Sequence, residues 1–248
     1  MSRVALVTGG GRGIGRAVVE ALAAGGHRVI AVGRDRDALT EAAIDARGDV
    51  SAEICDVTDE RAVRELAARA GRVDVLVNNA GVSTSAPLHR TSLADWQRQL
   101  DVNATGAFLL TRELVGGMRE RGWGRVVTVA STAGLAGVPY TAGYTASKHA
   151  AVGLMRAAAA ELAGTGVTAN AVCPGFVRTD MTERSVARIV DRTGRTHEQA
   201  ERALAESSPL GRLLEPEEVA AAIAYLVSEA AAAVNGQTLV IDGGGVQT

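Results

Sequence analysis

Short apolar runs rich in Val, Ile and Ala alternate along this chain with longer Ala/Leu/Arg segments of helical period. The runs at 3–8 (RVALVT), 28–33 (RVIAVG), around 50–55, 73–77 (VDVLV), 125–130 (RVVTVA), 166–172 and 237–241 (QTLVI) predict strands. Between the first two, 14–25 puts Ile14, Val18, Ala21 and Leu22 on one helical face. Helices are also expected over 36–47, 58–70, 92–120, 144–163 and after Pro216. Thr58 is the expected cap of the third helix, with Glu60 and Arg61 in its first turns. Strands that are apolar throughout have no face for water. Alternating with helices, they predict a parallel sheet covered on both sides. The reading is an α/β fold, a single doubly wound domain over 1–248 with a parallel seven-stranded sheet. No linker, low-complexity stretch or repeat divides the chain. A ligand of such a sheet lies at the carboxyl ends of the strands.

The first strand runs straight into Thr8-Gly9-Gly10-Gly11-Arg12-Gly13-Ile14-Gly15, where a helix starts. Glycines there let the backbone turn tightly and approach a pyrophosphate, whose charge meets the helix N-terminus. The spacing is TGxxxGxG, not GxGxxG. Strand two ends Val32-Gly33-Arg34, so a glycine stands where an acid would take a free ribose 2′-hydroxyl. Arg34, helped by Arg12, fits the 2′-phosphate of NADPH/NADP+ better than the bare ribose of NADH/NAD+. Asp35 and Asp37 are the nearby residues that would serve the ribose instead.

Charge narrows the function classes. The chain has 26 basic and 28 acidic residues, a net charge of −2. That balance argues against a nucleic-acid partner and gives no electrostatic drive to an anionic membrane. No apolar run reaches the roughly 18 residues of a membrane span. The segment before the first strand is too short for a signal sequence, and Cys55 and Cys173 form no disulfide framework, so a cytoplasmic protein is expected. Four scattered histidines give no metal spacing, and no metal site is expected.

Of the 26 basic residues, 25 are arginine and one is Lys148. It lies four residues after Tyr144 in Tyr-Thr-Ala-Ser-Lys, on the same helical face. Three tyrosines in 248 positions give a randomly placed lysine roughly a 1% chance of that spacing. An ammonium near a phenol favours the phenolate and lowers its pKa toward a value usable in proton transfer. A guanidinium stays charged and presents a planar fork, whereas an ammonium is a compact triple donor able to exchange its proton. Ser131 ends strand five, where its hydroxyl would sit at the carboxyl edge of the sheet.

In this order, TGGGRGIG (8–15), Asp56-Val57, NNAG (78–81), Asn103, Ser131, YTASK (144–148) and PGFVRT (174–179) make the chain resemble a short-chain dehydrogenase/reductase of Rossmann type over about residues 3–245. Within that family it looks most like bacterial 3-oxoacyl (β-ketoacyl) reductases and polyketide ketoreductases, through ASTAG (130–134), ANAVCPGFVRTDM (169–181) and PLGRLLEPEEVA (209–220). The resemblance implies an NADPH-dependent reductase passing a hydride to a ketone or acyl thioester, including one carried on acyl carrier protein. Tyr144 would be the general acid, Lys148 would bind the nicotinamide ribose and lower the phenol's pKa, Ser131 would orient the carbonyl, and Asn103 would hold a water in the proton relay. Gly9, Gly11, Arg12, Gly13, Ile14, Gly15, Arg34, Asp56, Val57, Asn79, Ala80, Gly81, Pro174, Gly175, Val177 and Thr179 would line the cofactor, and Asn79 would also brace the sheet. The C-terminal strand with Asp242-Gly243-Gly244 resembles a tetramer-forming end, which implies a homotetramer.

The chain departs from the shortest fatty-acid reductases at 180–208. The distance from Pro174 to Pro209 is 35 residues, about ten more than theirs. The added stretch, Val186 to Ala205, reads as a helical lid. Two rival functions remain: an NAD-dependent catabolic alcohol or 3-hydroxyacyl dehydrogenase, and a non-catalytic NADP-sensing protein.

Overall fold

A computed structural model describes residues 2–247. Seven strands form one parallel sheet: β1 (Val4–Thr8), β2 (Arg28–Gly33), β3 (Val50–Ile54), β4 (Val75–Asn78), β5 (Gly124–Val129), β6 (Val167–Pro174) and β7 (Thr238–Ile241). Their order is β3-β2-β1-β4-β5-β6-β7. The chain thus starts in the middle, builds outward to β3, and returns beside β1 with β4. The reversal between β1 and β4 opens a crevice at their carboxyl ends. In β1, Ala5, Leu6 and Val7 are each wholly buried, so both faces of the strand are covered. Leu6 and Leu76 point into one apolar layer, Val7 and Val77 into the other. This side-chain alternation fixes the register Leu6↔Leu76 and Val7↔Val77.

One face carries α1 (Gly13–Ala24), α2 (Arg36–Asp45) and the late helix α9 (Pro216–Val227). There Val18, Leu22, Ile223 and Leu226 close over β1 and β5. The other carries α3 (Glu60–Ala70), α4 (Leu93–Leu100), α5 (Gly106–Glu120) and α6 (Ala142–Glu161).

Two expectations are corrected. The cap of α3 is Asp59, whose carboxylate accepts from the Arg61 and Ala62 N–H groups. Thr58 instead donates its own N–H and hydroxyl to Asp56. The helix expected over 92–120 is interrupted: Asp101–Thr105 form a π-turn between α4 and α5. The stretch expected to form a helical lid folds as a pair of helices, α7 (Asp180–Thr193) and α8 (His197–Ala205), separated at Gly194, whose φ of +69° is a left-handed stop.

Candidate active site

The glycine loop leaves β1 and turns into α1 under steric control. A Cβ on Gly15 would overlap the Gly9 carbonyl oxygen, and one on Gly13 (φ +50°) would meet Thr179 Cγ2 at 2.9 Å. Helix α1 begins at Arg12 with no side-chain cap and no acid in its first turn. Its first N–H groups are therefore unsatisfied by protein side chains and face a cleft of about 530 Å³ lined by Gly11, Arg12, Gly13, Asp35, Ala38 and Asp180. An uncapped helix start in a glycine cradle suits a dinucleotide pyrophosphate.

The two arginines expected at the 2′-phosphate sit on the rim, already paired. Arg12 bonds the Asp35 carboxylate at 2.5 Å and lies 3.6 Å from Asp180. Arg34 lies 3.7 Å from Asp56. Burial pushes the Asp56 carboxyl up, but the Thr58 N–H and hydroxyl together with Arg34 bring it below its ordinary value. Asp35 and Asp37 both line the cleft, and Asp35 also caps α2 through the Ala38 N–H.

Asn79 ties the loop to the sheet. Its Nδ2 donates to the Thr8 and Gly9 carbonyls at 2.8 and 3.3 Å. The buried Thr8 hydroxyl accepts from the Asn79 and Ala80 N–H groups. At the other end, Pro174 closes β6, and the Gly175 N–H donates to the Ile241 carbonyl. Val177 is buried and bridges to Leu214, while Thr179 precedes α7 and leans on Gly13. The lid therefore roots against the glycine loop.

Ser131 lies just past β5 in extended backbone, and its hydroxyl accepts from the Ala133 N–H. Tyr144 and Lys148 occupy the first turns of α6. Lys148 is 4% exposed; its Nζ donates to the Val129 carbonyl at 2.7 Å and lies 5.7 Å from the centre of the Tyr144 ring. Gly81 brings the post-β4 loop into the same place: a Cβ there would stand 3.3 Å from Asn103 Oδ1 and 3.7 Å from Lys148 Nζ. One space at the carboxyl end of β5 thus gathers Ser131, Tyr144, Lys148, Gly81 and Asn103.

Two details differ from expectation. Burial pushes the Tyr144 phenol above its ordinary value, and the Ser131 side chain beside it pulls only partly back. Burial also pushes the Lys148 ammonium down, to about 8. Desolvation outweighs the attraction that was to lower the phenol, because both groups lie in the same dry space. A phenol held protonated is set to give a proton. The second detail concerns Asn103. Its Oδ1 accepts from the Val82 N–H at 2.8 Å, and its Nδ2 donates to the Val82 carbonyl and to Ser147 Oγ, both at 2.9 Å. Both amide hydrogens are taken by protein groups, so a water can meet the side chain only at Oδ1.

Sequence reasoning passed over Ser147, which is wholly buried, and Gln99, which is 1% exposed and accepts from the Thr84 N–H at 3.0 Å. The available signal was a polar side chain on the inward face of each helix. Arg188 of α7 donates to Ser85 at 2.8 Å, linking the lid to the loop after β4.

Among the described residues no group of three His, Cys, Asp or Glu could hold a metal, and no helix is long and apolar enough to cross a membrane.

A family model described as Enoyl-(Acyl carrier protein) reductase matches residues 9–245. A ketoacyl reductase of the granaticin polyketide synthase of Streptomyces violaceoruber is 42% identical over 250 residues, covering 97% of this chain and 92% of the relative. A 3-oxoacyl-[acyl-carrier-protein] reductase of a Synechocystis strain is 39% identical over 252 residues, covering 98% and 96%. The crystal structure of a tryptophan-substituted variant of actinorhodin polyketide ketoreductase with NADPH superposes with a TM-score of 0.94 at 39% identity, covering 98% of this chain and 97% of that one.

Proposed function

The chain belongs to the short-chain dehydrogenase/reductase family, and from that premise we propose that it is an NADPH-dependent ketoreductase acting on a 3-oxoacyl thioester or a polyketide ketone. The observation that carries this reading is the meeting of Ser131, Tyr144 and Lys148 at the end of β5, one crevice away from an uncapped helix in a glycine cradle. The names of the relatives point to the same ketones, and one structural neighbour was solved with NADPH.

When bound, the nicotinamide supplies the hydride. The N–H groups of Gly11 to Gly15 would hold its pyrophosphate, and Arg12 and Arg34 its 2′-phosphate. Asp56 and Val57 would meet the adenine. Asn79, Ala80, Gly81, Pro174, Gly175, Val177 and Thr179 would flank the nicotinamide half. Ser131 orients the ketone by donating a hydrogen bond to its oxygen. Tyr144 gives that oxygen a proton as the carbonyl carbon gains hydride, so the ketone becomes an alcohol and the phenol a phenolate. Lys148 keeps a cation under the phenolate and so favours its formation. The phenol is protonated in the resting site, the form that reduction requires.

The protein is further read as a cytoplasmic homotetramer whose substrate can arrive on acyl carrier protein. Phe108, Tyr225 and Leu239 are among the large apolar side chains left exposed, on α5, α9 and β7.

The test is a panel assay of NADPH and NADH oxidation with acetoacetyl-CoA, acyl-carrier 3-oxo thioesters, a cyclic ketone such as decalone, and crotonyl-CoA. The expected result is NADPH-linked turnover of at least one ketone and none of crotonyl-CoA. Turnover of crotonyl-CoA alone overturns the reading in favour of the enoyl reduction named by the family model. Turnover with NADH alone favours the catabolic dehydrogenase. Tight NADPH binding without any turnover favours the sensing protein.

A further inference from the structure

We propose that Ser147 is a positioning residue for the reduction, acting through Asn103 to lock the first turn of α6 against the π-turn and the loop after β4. The inference depends on the ketoreductase reading, since the group it positions is Tyr144.

The geometry is a closed chain of short hydrogen bonds in a dry place. Ser147 is 0% exposed and Asn103 3% exposed. The Ser147 hydroxyl donates to the Tyr144 carbonyl at 2.8 Å and accepts from Asn103 Nδ2 at 2.9 Å. The same Asn103 amide grips Val82 from both sides, N–H and carbonyl, at 2.8 and 2.9 Å. Three segments far apart in sequence, around 82, 103 and 147, therefore meet on one amide and one hydroxyl.

Every donor hydrogen is used. An amide has two N–H donors, and both are taken here. A serine hydroxyl has one hydrogen, directed to the backbone of Tyr144 itself. Removing that hydroxyl strands a buried Asn103 N–H, which must then turn away from Val82 or remain unpaired. Either response loosens the turn that carries Tyr144 and Lys148. The loosening also reaches Gly81, which lies between the Asn103 amide and the Lys148 ammonium. Proton transfer depends on sub-ångström placement of donor and acceptor, so turnover falls before binding does.

The π-turn adds to the case. Asp101–Thr105 depart from regular helix at the point where Asn103 must reach both Val82 and Ser147. Such an insertion in an α-helix often marks a functional position.

The experiment is kinetics on the full chain with its best ketone, for Ser147→Ala, Asn103→Ala and the double variant. Ser147→Ala is expected to lower kcat at least about tenfold, with NADPH affinity by fluorescence titration changed less than about threefold. In the double variant the two losses are not multiplied: it is no slower than Asn103→Ala alone by more than about twofold. Ser147→Cys, which keeps the volume and a weak acceptor, falls between wild type and Ser147→Ala and serves if the alanine variant fails to fold. Wild-type kcat in Ser147→Ala, or in Ser147→Cys where that stands in, overturns the proposal. A kcat loss matched by an equal loss of NADPH affinity also overturns it, by marking general damage. Fully multiplicative losses overturn the action through Asn103. Wild-type kcat in Asn103→Ala contradicts the reading of the site itself, a failure separate from that of Ser147.

Discussion

Beneath the site, Asn103, Ser147 and Lys148 are 3%, 0% and 4% exposed; Asn103 donates to Ser147, Ser147 to the Tyr144 carbonyl and Lys148 to the Val129 carbonyl, all at 2.7–2.9 Å. Above it, the lid buries Thr182 and Val186 of α7 and Ala200 of α8, and is otherwise tethered from outside. Arg178 reaches Glu201 and Glu215, His197 reaches Glu183, and Arg188 reaches Ser85, in largely exposed contacts. Buried bonds are costly to break because the freed groups find no water. Exposed ion pairs exchange readily with solvent and contribute little each. The floor therefore holds one geometry, while α7 and α8 rest largely on contacts that exchange with solvent. The glycine loop touches the base of α7, through Gly13 against Thr179 and Arg12 near Asp180.

The contrast can be broken most sharply at Tyr144. Tyr144→Phe keeps the ring and removes the proton; kcat is expected to fall at least about a thousandfold while NADPH still binds in a fluorescence titration. Retained turnover would remove the phenol from the mechanism. The next largest effect is a pH limb. Lys148 is held at about 8, so its ammonium is present below that pH and lost above it. The value of kcat/KM for reduction should be flat below pH 8 and fall up to about tenfold per unit above. In Lys148→Arg the remaining activity, however small, should lack that limb, because a guanidinium stays charged. On the rim, Arg34→Ala is expected to raise the KM for NADPH about tenfold and leave that for NADH within about twofold. An unchanged ratio would shift the cofactor reading toward Asp35. The smallest effect belongs to the lid. Arg178→Ala should cost about 1 kcal/mol or less in denaturant unfolding, yet speed amide hydrogen exchange across 180–205 while leaving exchange in α6 unchanged. Equal changes in lid and α6 would mean that the two regions open together.

Much of this was legible in residues alone. The central strands could be read because they are apolar on both faces, and the single lysine among 25 arginines singled out α6 as the helix proposed to carry the chemistry. The cap of α3 was misread by one residue because Thr58 and Asp59 are both good caps, and only the competing Asp56 carboxylate decides between them. The π-turn was hidden because Asp-Val-Asn-Ala-Thr suits a regular helix. What forces the irregularity is a partner on another strand's loop. Nothing local to Ser147 says which distant segment faces it; the Asn103 amide that does is 44 residues away.

Residue order alone predicted the strands, their alternation with helices, and the side chains proposed to carry chemistry. Periodicity, glycine sterics and the difference between an ammonium and a guanidinium are local properties. The protonation bias and the couplings came only with packing in three dimensions. The Tyr144 phenol rises instead of falling, Lys148 drops to about 8, and Asn103 commits its amide hydrogens to Val82 and Ser147. Those outcomes depend on how much water packing removes and on which distant groups it brings within hydrogen-bond reach.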